Sequence, residues 1–326
     1  MKKLTRILFS FALVTTVAPA ATWTVDNNIS RPADFRTVQE AVDAAATNDT
    51  ILLVGSPDSY GSLTLAKRVT IRGPGYFLTS NGVEGWGDTA KLAVTVTSGA
   101  SGARLEGLDL HGLGIPYSIT PCDELAIIRC LGAGGGYWIL YGNRHLISQC
   151  YSEKNVQLLG SQNVVSNCYF YSFHIDGSGS SVDRCVIGIP SAGASHSFGE
   201  TNTVANSIIT RDYSTTYTAG SIRNCLVMGT GILPPGNGNL NGGVLADTFE
   251  MPGVSIALSD TGYRLKPSSI AIGAGANGTD MGMFGGSSPY VISGIPAIPR
   301  IKALAMPALV PDSTGLTFEV QAEARD

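Results

Sequence analysis

Charged side chains are scarce in this sequence: Asp, Glu, Lys and Arg make up 14% of 326 residues, and His occurs four times. Cations are scarcer than anions, with 21 Lys and Arg against 25 Asp and Glu. Such a chain is a poor partner for nucleic acid, whose binding rests on cationic contacts to phosphate. Long apolar runs are missing too. The one marked run, residues 7–17, is shorter than the ~20 residues a membrane-spanning helix needs. No membrane span is therefore expected.

That run follows Lys2, Lys3 and Arg6 and precedes Ala18-Pro19-Ala20. Basic, apolar and small residues in that order read as a secretory signal peptide cleaved after Ala20. No Cys stands at the cleavage point, which argues against a lipid anchor. Loss of the leader takes the net charge from −4 to −7, because three basic residues go with it. The mature chain is expected outside the cytoplasm, periplasmic or extracellular, as a monomer.

What is plentiful is Gly, 40 residues, and a short pattern that returns through residues 105–227. Its copies include Leu105-Glu106-Gly107-Leu108, Ile127-Ile128-Arg129-Cys130, Ile147-Ser148-Gln149-Cys150 and Val165-Ser166-Asn167-Cys168. Val182-Asp183-Arg184-Cys185, Val204-Ala205-Asn206-Ser207 and Ile222-Arg223-Asn224-Cys225 continue it. Successive fourth positions are 22, 20, 18, 17, 22 and 18 residues apart. A period near 20 with strand-like content marks a β-solenoid. Side chains alternate along a strand, so two inward residues three apart need a bend between them. Gly or Asn at the third position suits a left-handed bend. Arg129, Gln149 and Arg184 depart from that, so those coils are expected to bend differently or bear strain.

The fourth positions predict an inward column of Cys130, Cys150, Cys168 and Cys185. Coils stack at about 4.8 Å, so packed thiols and stacked disulfides are both open, packing being favoured. Cys122 lies outside the column and is free to pair with Cys130 or pack in a loop. A second column ends at Gly142, Gly160, Gly177, Gly199 and Gly220. Before the first three, positions two and four are apolar and so face inward.

Residues 34–45 read as a short amphipathic helix capped by Asp34 or Thr37, with Glu40 completing a capping box. Residues 50–54 read as the first strand. The order Phe35-x-Thr37-Val38-Gln39-x-Ala41-Val42, Asp49-Thr50-Ile51, Tyr60-Gly61 and Val69-Thr70-Ile71-x-Gly73 resembles the opening of right-handed parallel β-helix proteins, the pectin-lyase-like superfamily. Pectin methylesterases begin similarly. The resemblance runs to about residue 290. It implies an all-β, right-handed single-stranded parallel β-helix with an N-terminal capping α-helix and a short C-terminal tail. The Gln-rich and Asp-Phe-Ile-Phe-Gly-like catalytic strands of methylesterases have no match, nor do the paired-Asp motifs of polygalacturonases, so no catalytic residue is carried over. Residues 263–286 look like the terminal segment that closes the last coils in exported bacterial β-helix proteins. The expected divisions are a leader at 1–20, the β-helix at 21–294 and a Pro-punctuated tail or hairpin at 295–326.

Candidate chemistry lies on the outward positions before those glycines. Ile139, Gln157, His174, His196 and Tyr217 form one stripe; Tyr141, Leu159, Asp176, Phe198 and Ala219 form its neighbour. Such a ridged face suits an extended polysaccharide or cell-surface glycan. Tyr141, Gln157, Phe198, Tyr217, Lys154 and Asp212 are expected to bind it, with His174, Asp176, His196 and Arg211 as catalytic candidates. His111 and His145 read as turn or surface residues. Three functions stay open: glycan binding or display, a lyase or glycoside hydrolase acting on an acidic polysaccharide, and a structural or adhesive solenoid. A lyase needs a base and a cation beside a uronate, roles open to Lys154, Arg211, His174 or Tyr213. Glu153, Asp176 and Asp212 would be oxygen ligands for Ca²⁺ in that case. No cofactor or resident metal is otherwise expected. A hydrolase needs two facing carboxylates, for which Asp176 and Asp212 are the nearest pair.

Overall fold

The computed structural model describes residues 19–83, 87–116, 120–188, 196–210, 221–251, 259–305 and 319–323. The leader expected at 1–20 lies almost wholly outside them.

Nearly all the regular structure is parallel β. Strands join a ten-stranded and a twelve-stranded sheet in the order of the chain, coil upon coil. The protein is a parallel β-solenoid. In the first sheet Ile51, Ile71, Leu105, Ile127, Ile147, Val165, Val182, Val204 and Ile222 stand in continuous register. All nine are essentially buried. Each such side chain contributes roughly 2 kcal/mol of burial, so the column both stabilises the coils and sets their register. Slipping by one residue would turn it to solvent. The sheet begins one strand earlier than the sequence suggests, at Thr22–Val25, which pairs with Thr50–Leu53. The helix spans Val38–Ala44, with Thr37 and Glu40 forming the expected capping box. Asp34 does not cap it; its carboxylate accepts from Thr24 instead. Val38, Ala41 and Val42 join the main core at the first coils.

The bend after each first-sheet strand repeats closely. Arg129, Gln149, Asn167, Arg184, Asn206 and Asn224 all lie in the left-handed region, with φ of 52, 55, 52, 51, 50 and 48°, and Gly107 at 63°. Arg129, Gln149 and Arg184 therefore bend as the Asn coils do. Gly73 is the exception. Its φ is not left-handed; a Cβ there would lie 2.5 Å from the Gly107 carbonyl oxygen.

The inward column after this bend holds Cys130, Cys150, Cys168, Cys185, Ser207 and Cys225, all buried. Every cysteine is a free thiol, Cys122 included. Their role is more than packing. Each thiol of the column donates to the carbonyl two residues back, as from Cys150 to Ser148 at 3.4 Å and Cys168 to Ser166 at 3.1 Å. Two of the sulfurs also accept a backbone N–H from the preceding coil: Cys130 N–H donates to Cys150 Sγ at 3.4 Å and Cys150 N–H to Cys168 Sγ at 3.3 Å. Ser207 does the same with its hydroxyl, accepting from Cys185 N–H at 3.0 Å and donating to Ala205 at 2.7 Å. Asn239 ends the series by accepting from Cys225 N–H at 3.1 Å. The common requirement is a small group that both donates and accepts, because the bend leaves backbone groups outside the sheet ladders.

A second polar column serves the opposite corner. Leu125 N–H donates to His145 Nδ1, His145 N–H to Asn163 Oδ1, Asn163 N–H to Ser180 Oγ and Ser180 N–H to Asn202 Oδ1. His145 is thus fully buried rather than a surface residue. Its Nε2–H donates to the Tyr141 carbonyl, and burial holds the imidazole below the usual range.

The C-terminal segment begins against the end of the stack, where Leu265 pairs with Phe249. It lies along the column of left-handed bends, running opposite to the progression of coils. Ala276 N–H donates to Asn206 Oδ1; Asn167 donates to the Met283 and Gly285 carbonyls; Gln149 to Pro289; Arg129 to Ile295. Between this strap and the solenoid lies a second core containing Leu131, Tyr151, Tyr169, Val186, Ile208 and Leu226 from the coils, with Tyr263, Met281, Met283 and Tyr290 from the strap. Asp260 pins it. Its carboxylate accepts from Tyr290 OH at 2.6 Å, Ser293 N–H at 2.7 Å and Asn81 Nδ2 at 2.7 Å. Beyond the strap, Arg300–Ala305 and Glu319–Glu323 pair as an antiparallel hairpin.

Candidate functional site

The outer face of the second sheet carries the nominated residues. Thr95, Gly114, Ile139, Gln157, His174 and Ser197 form one outward column in register. Gln157 and His174 are therefore neighbours, as the glycine spacing predicts. Asp176 is exposed just past the strand end. Burial holds the His174 imidazole below the usual range, and the Asp176 charge opposes that shift. Tyr141 is half-buried and packs against the main core. Lys154 sits at the corner of its coil, where the register with the next strand shifts between Ser152 and Asn155.

His196 and Phe198 are not where the spacing puts them. His196 pairs with Phe173, and Ser197 takes the place beside His174. Phe198 is 2% exposed and belongs to the main core, so it is not a binding platform on this face. Counting back from Gly199 fails because burial of Phe198, not the glycine, sets the register; one residue of slip exchanges the faces. Arg211, Asp212, Tyr213 and Tyr217 lie outside the described residues.

The structure adds a cluster the sequence did not suggest. Asp109 is 4% exposed and its Oδ2 meets His111 Nε2 at 3.2 Å. His111 is the extra residue where the register shifts opposite Leu92 and Ala93, which brings its ring back toward Asp109. Burial pushes the Asp109 carboxyl above the usual range, against the pull of His111. Burial also raises Glu153; Lys154 opposes that and the Asp109 charge adds to it. No protein donor reaches Asp109 Oδ1, Glu153 Oε1 or Asn155 Oδ1. A strand-edge Asp-x-His is too common a pattern to have marked this cluster in advance. Among the described residues, no three His, Cys, Asp or Glu side chains are grouped to hold a metal ion.

Next to the cluster the same face is indented. A shallow slot of about 260 Å³ is lined by Ser62, Ala93, Thr95, Gly112, Gly114, Tyr137 and Ile139 and the backbone between them. Tyr137 is 57% exposed. Among the described residues no helix is long and apolar enough to cross a membrane.

The chain matches no protein-family model, and no curated protein is similar to it. The class that the fold defines is a parallel β-solenoid with a C-terminal strap.

Proposed function

We propose that this chain is an exported glycan-associated protein that holds a polysaccharide along the outer face of its second sheet. The observation that carries this reading is the in-register column from Thr95 to Ser197. Six coils at strand spacing make a straight face about 24 Å long, a length suited to several sugar units. Hydroxyl, amide and imidazole groups recur along it, and Tyr137 supplies an exposed aromatic. The leader-like residues 1–20 support export.

A lyase remains the second reading because the His174 imidazole, held toward its neutral form, is a competent base at neutral pH. The purified chain, mixed with polysaccharides, is expected to bind one without releasing unsaturated ends. His174→Ala with Asp176→Ala should weaken that binding by on the order of tenfold with the β content of the circular dichroism spectrum unchanged. New unsaturated ends, lost in the same variant, would establish the lyase. Binding to no glycan at all would leave a structural or adhesive solenoid.

A further inference from the structure

Resting on that reading, the slot at Gly112 and Gly114 points to one kind of ligand. Its floor is glycine at two outward positions of one strand, Asp109–Ile115. Gly112 follows the register shift at His111 and lies against the Gly136 backbone, but nothing in the fold asks for glycine at position 114. Neither residue has a positive φ. A Cβ on Gly114 would meet nothing within 4 Å, and one on Gly112 only the Gly136 Cα at 3.7 Å. Glycine inside a strand sacrifices packing, and away from a bulge or bend it marks a site where a ligand or another backbone approaches closely.

The slot has walls as well as a floor. Ala93 and Thr95 stand on one rim, Tyr137 and Ile139 on the other, two strand spacings or about 10 Å apart. That gap, less the rim side chains, admits one flat ring with its face against Tyr137. The lining contains no carboxylate, ammonium, guanidinium or imidazole. At the head of the same strand lie the Asp109 and Glu153 carboxyls, whose acceptor oxygens Asp109 Oδ1 and Glu153 Oε1 lack protein donors. The ammonium groups beside them are offset one for one, Lys91 by Asp109 and Lys154 by Glu153. A uronate would bring a third carboxylate to this end of the face with no ammonium left to meet it.

We infer that the slot is a subsite for an uncharged sugar ring, its face stacked on Tyr137 and its lower edge against the glycine backbone. The glycan held by this face is then neutral at this position rather than acidic.

The test is calorimetric titration of the full chain and two variants with a soluble β-glucan, a galactomannan and polygalacturonate. The wild type is expected to bind a neutral glycan and not polygalacturonate. Gly114→Val fills the floor with a residue that suits a strand. It should unfold at or above the wild-type temperature and lose on the order of tenfold or more in affinity. Tyr137→Ala, at an exposed site, should lose on the order of tenfold. Undiminished affinity in both variants overturns the slot while the face-binding reading stands. Binding to polygalacturonate alone overturns the uncharged ring. Binding to none of the three overturns the slot, and the reading beneath it falls if a wider panel is also negative.

Discussion

Two columns of side chains stand on the outside of the coils, and they have opposite fates. The left-handed bends, from Arg129 to Asn206, are covered by the strap, and their side chains donate to its carbonyls or accept its N–H groups. The outer face of the second sheet repeats just as regularly, yet it stands open at Thr95 and Tyr137. Repetition in a solenoid is therefore no sign of function in itself. A repeated polar position whose partner comes from the same chain is architecture; one that faces outward is where a ligand can be sought.

The comparison breaks most readily at Asp260. Asp260→Ala takes one acceptor from each of Tyr290, Ser293 and Asn81 and leaves the buried Ser293 N–H with none, and should cost on the order of 3 kcal/mol in urea unfolding. Its pH dependence carries a sign. Burial raises the Asp260 carboxyl above its ordinary value of 3.8. Its contribution is complete below that value and is lost as pH rises through the folded-state value. Asp260→Asn should flatten that part of the stability profile, and an unchanged profile would locate the titration elsewhere.

A smaller effect tests the cysteine column. Cys168→Ser keeps both a donor and an acceptor, as Ser207 does naturally. Cys168→Val keeps only the volume. Thermal unfolding should show Val costing about 1–2 kcal/mol more than Ser; the reverse order would return the thiols to simple packing. The smallest effect concerns the bend. Asn167→Gly and Asn167→Ala both lose the bonds to Met283 and Gly285. Only Ala also bears the left-handed backbone, so it should be about 1 kcal/mol the less stable of the two.

The coil was legible because its rule is local: an aliphatic residue, a bend and a small inward residue recur within four positions. Gln157 and His174 were legible as neighbours for the same reason. Arg129, Gln149 and Arg184 misled because residue preference was weighed without the partners that hold them. Arg129 and Gln149 donate to strap carbonyls 166 and 140 residues away, a separation no periodicity reports. His196 and Phe198 misled because a glycine was taken as the ruler where an aromatic decides. The slot could not be foreseen either: glycine in a run reads as a turn until the neighbouring strands are known.

The strap has a consequence for how the molecule is made. Coils can settle one upon another as they leave the ribosome, but Asp260 and Tyr290 tie back to Asn81 and Tyr76, near the start of the stack. Fastening therefore waits for the last-synthesised third of the chain. A polypeptide stopped before Asp260 would keep its ladders and lack the clasp.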